Sequence, residues 1–426
     1  MSLATLLPEL QWRGMLHDST PGLPDRLARG GPLAGYNGFD PTADSLHVGH
    51  LVPIMGLVRF QRAGGAPVAL VGGATGMIGD PSGRSAERAL LDLPTLEHNV
   101  ACIRAQLERF LDFSPGLAQA RMANNLDWLG PMGLIDFLRD VGKHFTVPYM
   151  LAKDSVQQRL DRGLSFTEFS YMTLQAADFL HLYREEGVEL QMGGADQWGN
   201  ITAGLELIRR VTGAEEDHAP AHGLAYPLLL SPSGAKFGKS EGGESVWLDP
   251  ARTSPYAFYQ YWLNTDDRDL PVYLRWFTLI GRDGIEALEA SHAARPEARE
   301  GQRALAREVT ERVHGESAAR DAVKLSEALF QRDPIGDPEL LSSLHTALDG
   351  FTVSPAQIAD GVLAFLAESG MAASRGEARR LVQGGAVTVN GTRVTDPASA
   401  VPEPIAGEWY EVRVGKRRRE IGRLAR

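Results

Sequence analysis

A single cysteine, Cys102, stands among the 426 residues. No intramolecular disulfide can form, and the fold must rest on its apolar cores in what is expected to be a reducing, cytoplasmic setting. Long apolar runs are missing too. No stretch reaches the roughly 20 residues that a bilayer-spanning helix needs, and Met1-Ser2-Leu3-Ala4 opens without the basic region of a signal peptide. Positive charge is in deficit, with a net charge of −11, which argues against a protein that coats nucleic acid nonspecifically. The deficit is uneven. Gly361 to Arg426 carries eleven Lys plus Arg against seven Asp plus Glu, so this end is +4 and the remainder −15. What is present, 43% hydrophobic and 23% charged residues, is the composition of a globular chain long enough for two or three domains.

The chain is organised around residues 36–50, Tyr-Asn-Gly-Phe-Asp-Pro-Thr-Ala-Asp-Ser-Leu-His-Val-Gly-His. Pro32 to Tyr36 reads as a short buried strand, and Leu51 to Val58 as an apolar helix. Strand, tight turn and helix form a corner suited to phosphate, because free N–H groups and the positive end of the helix dipole meet there. Gly38 lets a ligand approach the backbone, and Ser45 or a residue after it is expected to cap the helix. Pro53 is tolerated in a first helical turn, which places the regular helix from about His50. His47 and His50 can donate hydrogen bonds to phosphate oxygens. A zinc reading of this pair needs further ligands; no Glu-x-x-His accompanies it, and Cys102 is far off in sequence.

Further motifs follow in order. Pro67 to Val71 is a continuous apolar run, as in a buried parallel strand, and it leads into a glycine-rich loop, Gly72 to Arg84. The glycines do not match Gly-x-Gly-x-x-Gly, so a dinucleotide fingerprint is a poor fit. Residues 94–163 read as mainly helical. Between residues 171 and 180, Tyr171, Gln175 and Asp178 fall at i, i+4 and i+7, one polar face beside apolar Leu174 and Phe179. Residues 188–200 read as strand, glycine turn and helix start, which puts Asp196 and Gln197 where open α/β sheets bind ligands. Residues 234–240 nearly spell a Walker A loop, but they fall one residue short between the glycines, and Glu241-Gly242-Gly243 follows where a helix should begin. Lys236 and Lys239 on this glycine-bearing loop are suited to phosphate oxygens.

Residues 36–50 resemble the first signature of class I aminoacyl-tRNA synthetases, in the form carried by bacterial tyrosyl enzymes. Lys236-Phe237-Gly238-Lys239-Ser240 resembles the second. The resemblance implies an α/β fold: a Rossmann-like parallel-sheet catalytic domain, an α-helical domain, and a small C-terminal α+β RNA-binding domain like one in a small-subunit ribosomal protein. Expected boundaries are 1–246, 247–341 and 359–426, with a linker at 342–358. The implied activity joins tyrosine to ATP as tyrosyl-adenylate, then charges tRNA(Tyr). Thr42, His47, His50, Lys236 and Lys239 are the implied catalytic groups. In the implied tyrosine pocket, Tyr36 and Asp178 read the phenol, and Asp80, Tyr171 and Gln175 meet the ammonium group, with Gln191 and Gln197 alongside. Gly38, Asp40, Gly49, Arg84, Arg88, Gly194 and Asp196 would meet ATP, together with Lys236, Phe237, Gly238, Lys239 and Ser240. Position 37 is Asn where several relatives of this type carry Cys against the ribose, so ATP affinity is expected to differ.

In the tail, Ser374 to Val382 reads as a basic helix and Ala386 to Val394 as a hairpin with an Asn-Gly turn. Arg379, Arg380, Lys416, Arg417, Arg418 and Arg419 are the expected tRNA phosphate contacts. The resemblance further implies a homodimer, and Mg²⁺ that arrives with ATP and has no protein cage. No membrane partner is expected.

Overall fold

A computed structural model describes residues 1–82, 91–153, 156–157, 160, 163–214, 220–229, 237–238, 243–331, 333–415 and 418–425. The chain divides into two units. One comprises residues 1–253 with 261–313, the other residues 254–260 with 314–426.

The first unit is built on six strands: β1 (Asp18–Ser19), β2 (Ala34–Phe39), β3 (Ala66–Val71), β4 (Arg121–Asn124), β5 (Val188–Gly194) and β6 (His222–Tyr226). Their spatial order is β1-β6-β5-β2-β3-β4, parallel throughout except for β1. From β2 the chain runs outward through β3 and β4, then returns to β5 on the other side of β2. The crevice at the carboxyl ends of β2 and β5 is therefore the switch point where such sheets take ligands. Val68, Ala69, Leu70 and Val71 on β3 are buried, as expected of a strand covered on both faces.

Two helices cover one side of the crevice. Phe166–Glu186 starts at Ser165, whose Oγ accepts the Glu168 N–H at 3.2 Å, and ends at Gly187 in the left-handed region. Its Met172, Ala176 and Phe179 pack with Leu207 and Ile208 of the helix Trp198–Thr212 and with Tyr36 and Val188 of the sheet. On the helix Leu51–Arg62, Gly56 is required by close approach: a Cβ there would lie 2.0 Å from Tyr226 Oη.

One local expectation is corrected. The segment read as helical contains β4, whose Arg-Met-Ala-Asn sequence has neither β-branched residues nor alternation to announce a strand. The cap expected at Ser45 or a residue after it lies two residues on. His47 takes that place, its Nδ1 accepting the Gly49 N–H at 3.0 Å, while Ser45 Oγ donates to Leu46 O and accepts the Asp249 N–H.

The second unit carries a five-stranded sheet: β7 (Phe351–Val353), β8 (Val387–Val389), β9 (Thr392–Val394), β10 (Trp409–Val414) and β11 (Arg418–Leu424), in the order β7-β11-β10-β8-β9. Asn390 and Gly391, both at positive φ, make the tight turn between β8 and β9. Residues 342–358, expected as a linker, instead hold most of the helix Pro338–Ala347, then β7 and the helix Pro355–Ala359. Leu341 and Leu344 are fully buried there, an apolar spacing obscured by the proline- and aspartate-rich lead of residues 333–338.

Candidate active site

Strand β2 delivers Tyr36 to Phe39 into the crevice, and the following turn leads to His47 and His50 at the start of the helix Leu51–Arg62. The His50 Nδ1 accepts the His47 N–H at 3.1 Å, and the two rings lie 4.1 Å apart. Because each Nδ1 accepts a backbone N–H, each neutral imidazole carries its proton on Nε2 and is a donor there. Both rings line a cavity of about 970 Å³ at the carboxyl ends of β2 and β5.

Deep in this cavity Tyr36 and Asp178 are both about 1% exposed. Asp178 accepts from Asn125 Nδ2 at 2.9 Å and from Trp128 Nε1 at 2.8 Å, and Trp128 stacks on His181. Burial pushes the Asp178 carboxyl up to about 7; its two donors oppose the shift, and the negative charge of Asp40 adds to it. Burial, and then the nearby Asp178 charge, raise the Tyr36 phenol well above its ordinary value. Among the described residues the Tyr36 hydroxyl has no hydrogen-bond partner, and neither do Gln191 Oε1 and Asn37 Oδ1. Buried polar atoms left in this state are costly, so the cavity is built for a ligand that supplies their partners.

Two hydrogen-bonded chains shape the rest of the cavity. In the first, Tyr171 Oη donates to Asp40 Oδ2 at 2.8 Å, Thr75 Oγ1 donates to Asp40 Oδ1 at 2.8 Å, and Asn125 Nδ2 donates to Thr75 Oγ1 at 2.9 Å. The Tyr171 proton is thus committed to Asp40, which leaves its oxygen lone pairs to accept from an ammonium group. In the second, Gln197 Nε2 donates to Asp80 Oδ2 at 2.6 Å, and Asn200 Nδ2 donates to Gln175 Oε1 at 3.0 Å and Gln197 Oε1 at 3.1 Å. Burial, and then the Asp80 charge, raise the Asp196 carboxyl.

The cavity brings together most of the residues that sequence pointed to. Tyr36, Asp80, Tyr171, Gln175, Asp178, Gln191 and Gln197 all line it. So do Gly38, Asp40, Thr42, Gly49, Gly194, Asp196 and Phe237. Arg84, Arg88, Lys236, Lys239 and Ser240 lie outside the described residues. Thr75, Asn125, Trp128 and Asn200 hold the polar residues of the cavity by hydrogen bonds without having been singled out by sequence. Asn125 and Trp128 lie within the stretch 94–163 that reads as mainly helical, and no local spacing marks either as a partner of Asp178.

In the second unit Arg379 and Arg380 are exposed on the helix Arg375–Gln383. Arg418 is half exposed and donates to the carbonyls of Gly370 and Met371. Arg419 departs from the expected phosphate role. Its side chain is 8% exposed, pairs with Glu411 at 3.0 Å, and donates to the carbonyls of Ala328 and Leu329 at the end of the helix Glu316–Phe330. Strand alternation sends residues 418 and 419 to opposite faces, so only one of them can meet solvent. Lys416 and Arg417 lie outside the described residues.

Comparison with known proteins agrees with this geometry. Residues 28–331 match the family model for class I tRNA synthetases (W and Y), and residues 362–403 match the S4 domain. The chain is 52% identical over 420 residues to a tyrosine–tRNA ligase of Anaeromyxobacter dehalogenans, covering 97% of this chain and 98% of that one. With its counterpart from Geobacillus stearothermophilus it shares 49% over 428 residues, 99% of this chain and 100% of the other. Among solved structures, a C-terminally truncated mitochondrial tyrosyl-tRNA synthetase of Aspergillus nidulans superposes with a TM-score of 0.68 at 30% identity, over 76% of this chain and 94% of that one. With the first signature and Phe237 of the second lining one cavity, and relatives matching over nearly the whole chain, the chain belongs to the class I aminoacyl-tRNA synthetases, in the tyrosyl-tRNA synthetase family.

Proposed function

We propose that this chain condenses L-tyrosine with ATP to tyrosyl-adenylate and pyrophosphate, then transfers the tyrosyl group to the 3′-terminal ribose of tRNA(Tyr). The observation that carries the reading is the pairing of a partnerless Tyr36 hydroxyl with the Asp178 carboxyl at the buried end of the cavity. A phenol hydroxyl placed there donates to Asp178 and accepts from Tyr36, which satisfies both. The indole of tryptophan has a donor but no acceptor, so it leaves the Tyr36 proton unmatched.

At the other end Asp80, Tyr171 and Gln175 present oxygens to the substrate ammonium. The tyrosine carboxylate is ionised near pH 7 and attacks the α-phosphorus without a general base, while the bond to the leaving pyrophosphate breaks. Catalysis is then positioning plus stabilisation of charge, with Thr42 and the Nε2–H groups of His47 and His50 on one side of the phosphates. Lys236 and Lys239 supply charge to the leaving group, and Arg84 and Arg88 contribute to its binding. Gly38, Gly49, Gly194 and Asp196 shape the nucleotide site. Mg²⁺ would arrive with ATP, held by the nucleotide and not by a protein cage, and would supply positive charge beside the leaving group. The second unit docks tRNA through Arg379, Arg380 and Arg418.

The enzyme acts as a cytoplasmic homodimer. In support, Leu134, Ile135 and Leu138 on one short helix, with Val147 and Phe166, are large apolar side chains left 50% exposed or more. Among the described residues no helix is long and apolar enough to cross a membrane.

An amino-acid-dependent ATP–pyrophosphate exchange assay tests the reading. Tyrosine alone should support exchange. Exchange with tryptophan and none with tyrosine would overturn it.

A further inference from the structure

Phe237 and Gly238 stand between Lys236 and Lys239 in sequence and are the described residues of the second signature. The Phe237 ring stacks on Phe277, with centroids 5.4 Å apart and planes 5° from parallel, and meets the edge of Tyr273 at 5.3 Å and Trp262 at 6.2 Å. Gly238 follows at φ +84, a conformation that disfavours any residue with a Cβ. Both of its backbone groups are engaged. Its N–H donates to Tyr261 Oη at 3.1 Å, and its carbonyl accepts the Val246 N–H at 3.1 Å.

The Val246 carbonyl in turn accepts the Val48 N–H at 3.0 Å, and the Leu248 N–H donates to Leu46 O at 2.8 Å. His47 and Trp247 pair across the same short ladder. Residues 46–48 of the first signature and Gly238 of the second therefore share one hydrogen-bonded frame. Tyr261 holds that frame from the far side of Gly238.

We infer that Tyr261 is a positioning residue for adenylate formation: its hydroxyl, with the aromatic socket around Phe237, sets where Phe237 and Gly238 stand relative to His47 and His50. The inference rests on the tyrosine activation proposed above. Stabilising charge on two sides of a departing pyrophosphate depends on their separation, and a misplacement of about 1 Å can cost about a hundredfold in rate. Burial pushes the Tyr261 phenol up to about 12, so the group stays neutral and accepts the Gly238 N–H throughout the working range.

Single-turnover formation of tyrosyl-adenylate by the full-length protein tests the role. Tyr261→Phe should slow this step about tenfold, the scale of one neutral hydrogen bond, by the same factor from pH 6.5 to 9. Its tyrosine Kd and melting temperature should match those of the unaltered protein. Phe237→Ala should slow the step about a hundredfold, with Phe237→Leu recovering part of the rate by refilling the socket. An unaltered protein that activates tyrosine, with a Tyr261→Phe variant equally fast, would overturn the positioning role alone. A Tyr261→Phe variant whose tyrosine Kd weakens as much as its rate would also overturn it, because the residue would then act on the amino-acid pocket. Absence of tyrosine-dependent activity in the unaltered protein would overturn this inference together with the function it rests on.

Discussion

Asp178 in the first unit and Glu411 in the second are both about 1% exposed, yet they are treated in opposite ways. Glu411 is matched by charge and hydrogen bonds from within the chain: Arg413 and Arg419 pair with it, and the Ile335 N–H donates to it at 2.8 Å. Among the described residues Asp178 receives only the neutral donors Asn125 and Trp128, and the Tyr36 hydroxyl nearby is left without a partner. A buried carboxylate closed by cations organises structure. One that is under-compensated, beside an unmatched hydroxyl, awaits a ligand.

Removing one side of each arrangement should separate the two roles. The largest effect is expected from Glu411→Ala, which strands two arginines and should cost about 3–5 kcal/mol of second-unit stability in urea unfolding, with ATP–pyrophosphate exchange unchanged. Loss of exchange equal to the loss of stability would break the distinction. Next, Tyr36→Phe should lower the tyrosine-to-phenylalanine ratio of kcat/KM about tenfold, equivalent to about 1–1.5 kcal/mol, with little change in melting temperature. A variant with its full preference for tyrosine would remove Tyr36 from the phenol site.

The same contrast sorts the arginines of the tail. Replacing exposed Arg379 and Arg380 together by Ala should reduce the salt dependence of tRNA binding, lowering the slope of log Kd against log salt by about 2 while stability is kept. Arg419→Ala should do the reverse, lowering stability with little change in that slope.

The smallest effect concerns pH. The folded carboxyl of Asp178 titrates near 7, above its ordinary value of 3.8, so between about 4 and 7 the folded state binds more protons than the unfolded one. This group's contribution to the stability of the free protein is therefore present below pH 4 and lost as pH rises to about 7. On the proposed reading bound tyrosine hydrogen-bonds the ionised form, so its affinity should fall by up to about tenfold as pH drops from 8 to 6. Calorimetric titration across that range checks it. A tyrosine Kd independent of pH would show that Asp178 stays ionised throughout.

The spacing of residues 36–50 and the polar face Tyr171, Gln175 and Asp178 could be read along the chain because strand, turn and helix periods are local. The Asn390-Gly391 turn was legible for the same reason: only those residue types accept its positive φ values easily. Tertiary structure alone decided which polar groups satisfy which. Asn125 reaches Asp178 across 53 positions and Thr75 across 50, distances closed because the ends of β3 and β4 meet beside the helix Phe166–Glu186, and not by any motif. Arg419 sits in a run of basic residues that reads as uniform, and only the pairing of β10 with β11 brings it to Glu411 and into the interior. Periodicity records which face a side chain takes within its own element. What lies opposite that face depends on where distant elements pack, and that determined which buried carboxylate is closed by arginines and which meets only neutral donors among the described residues.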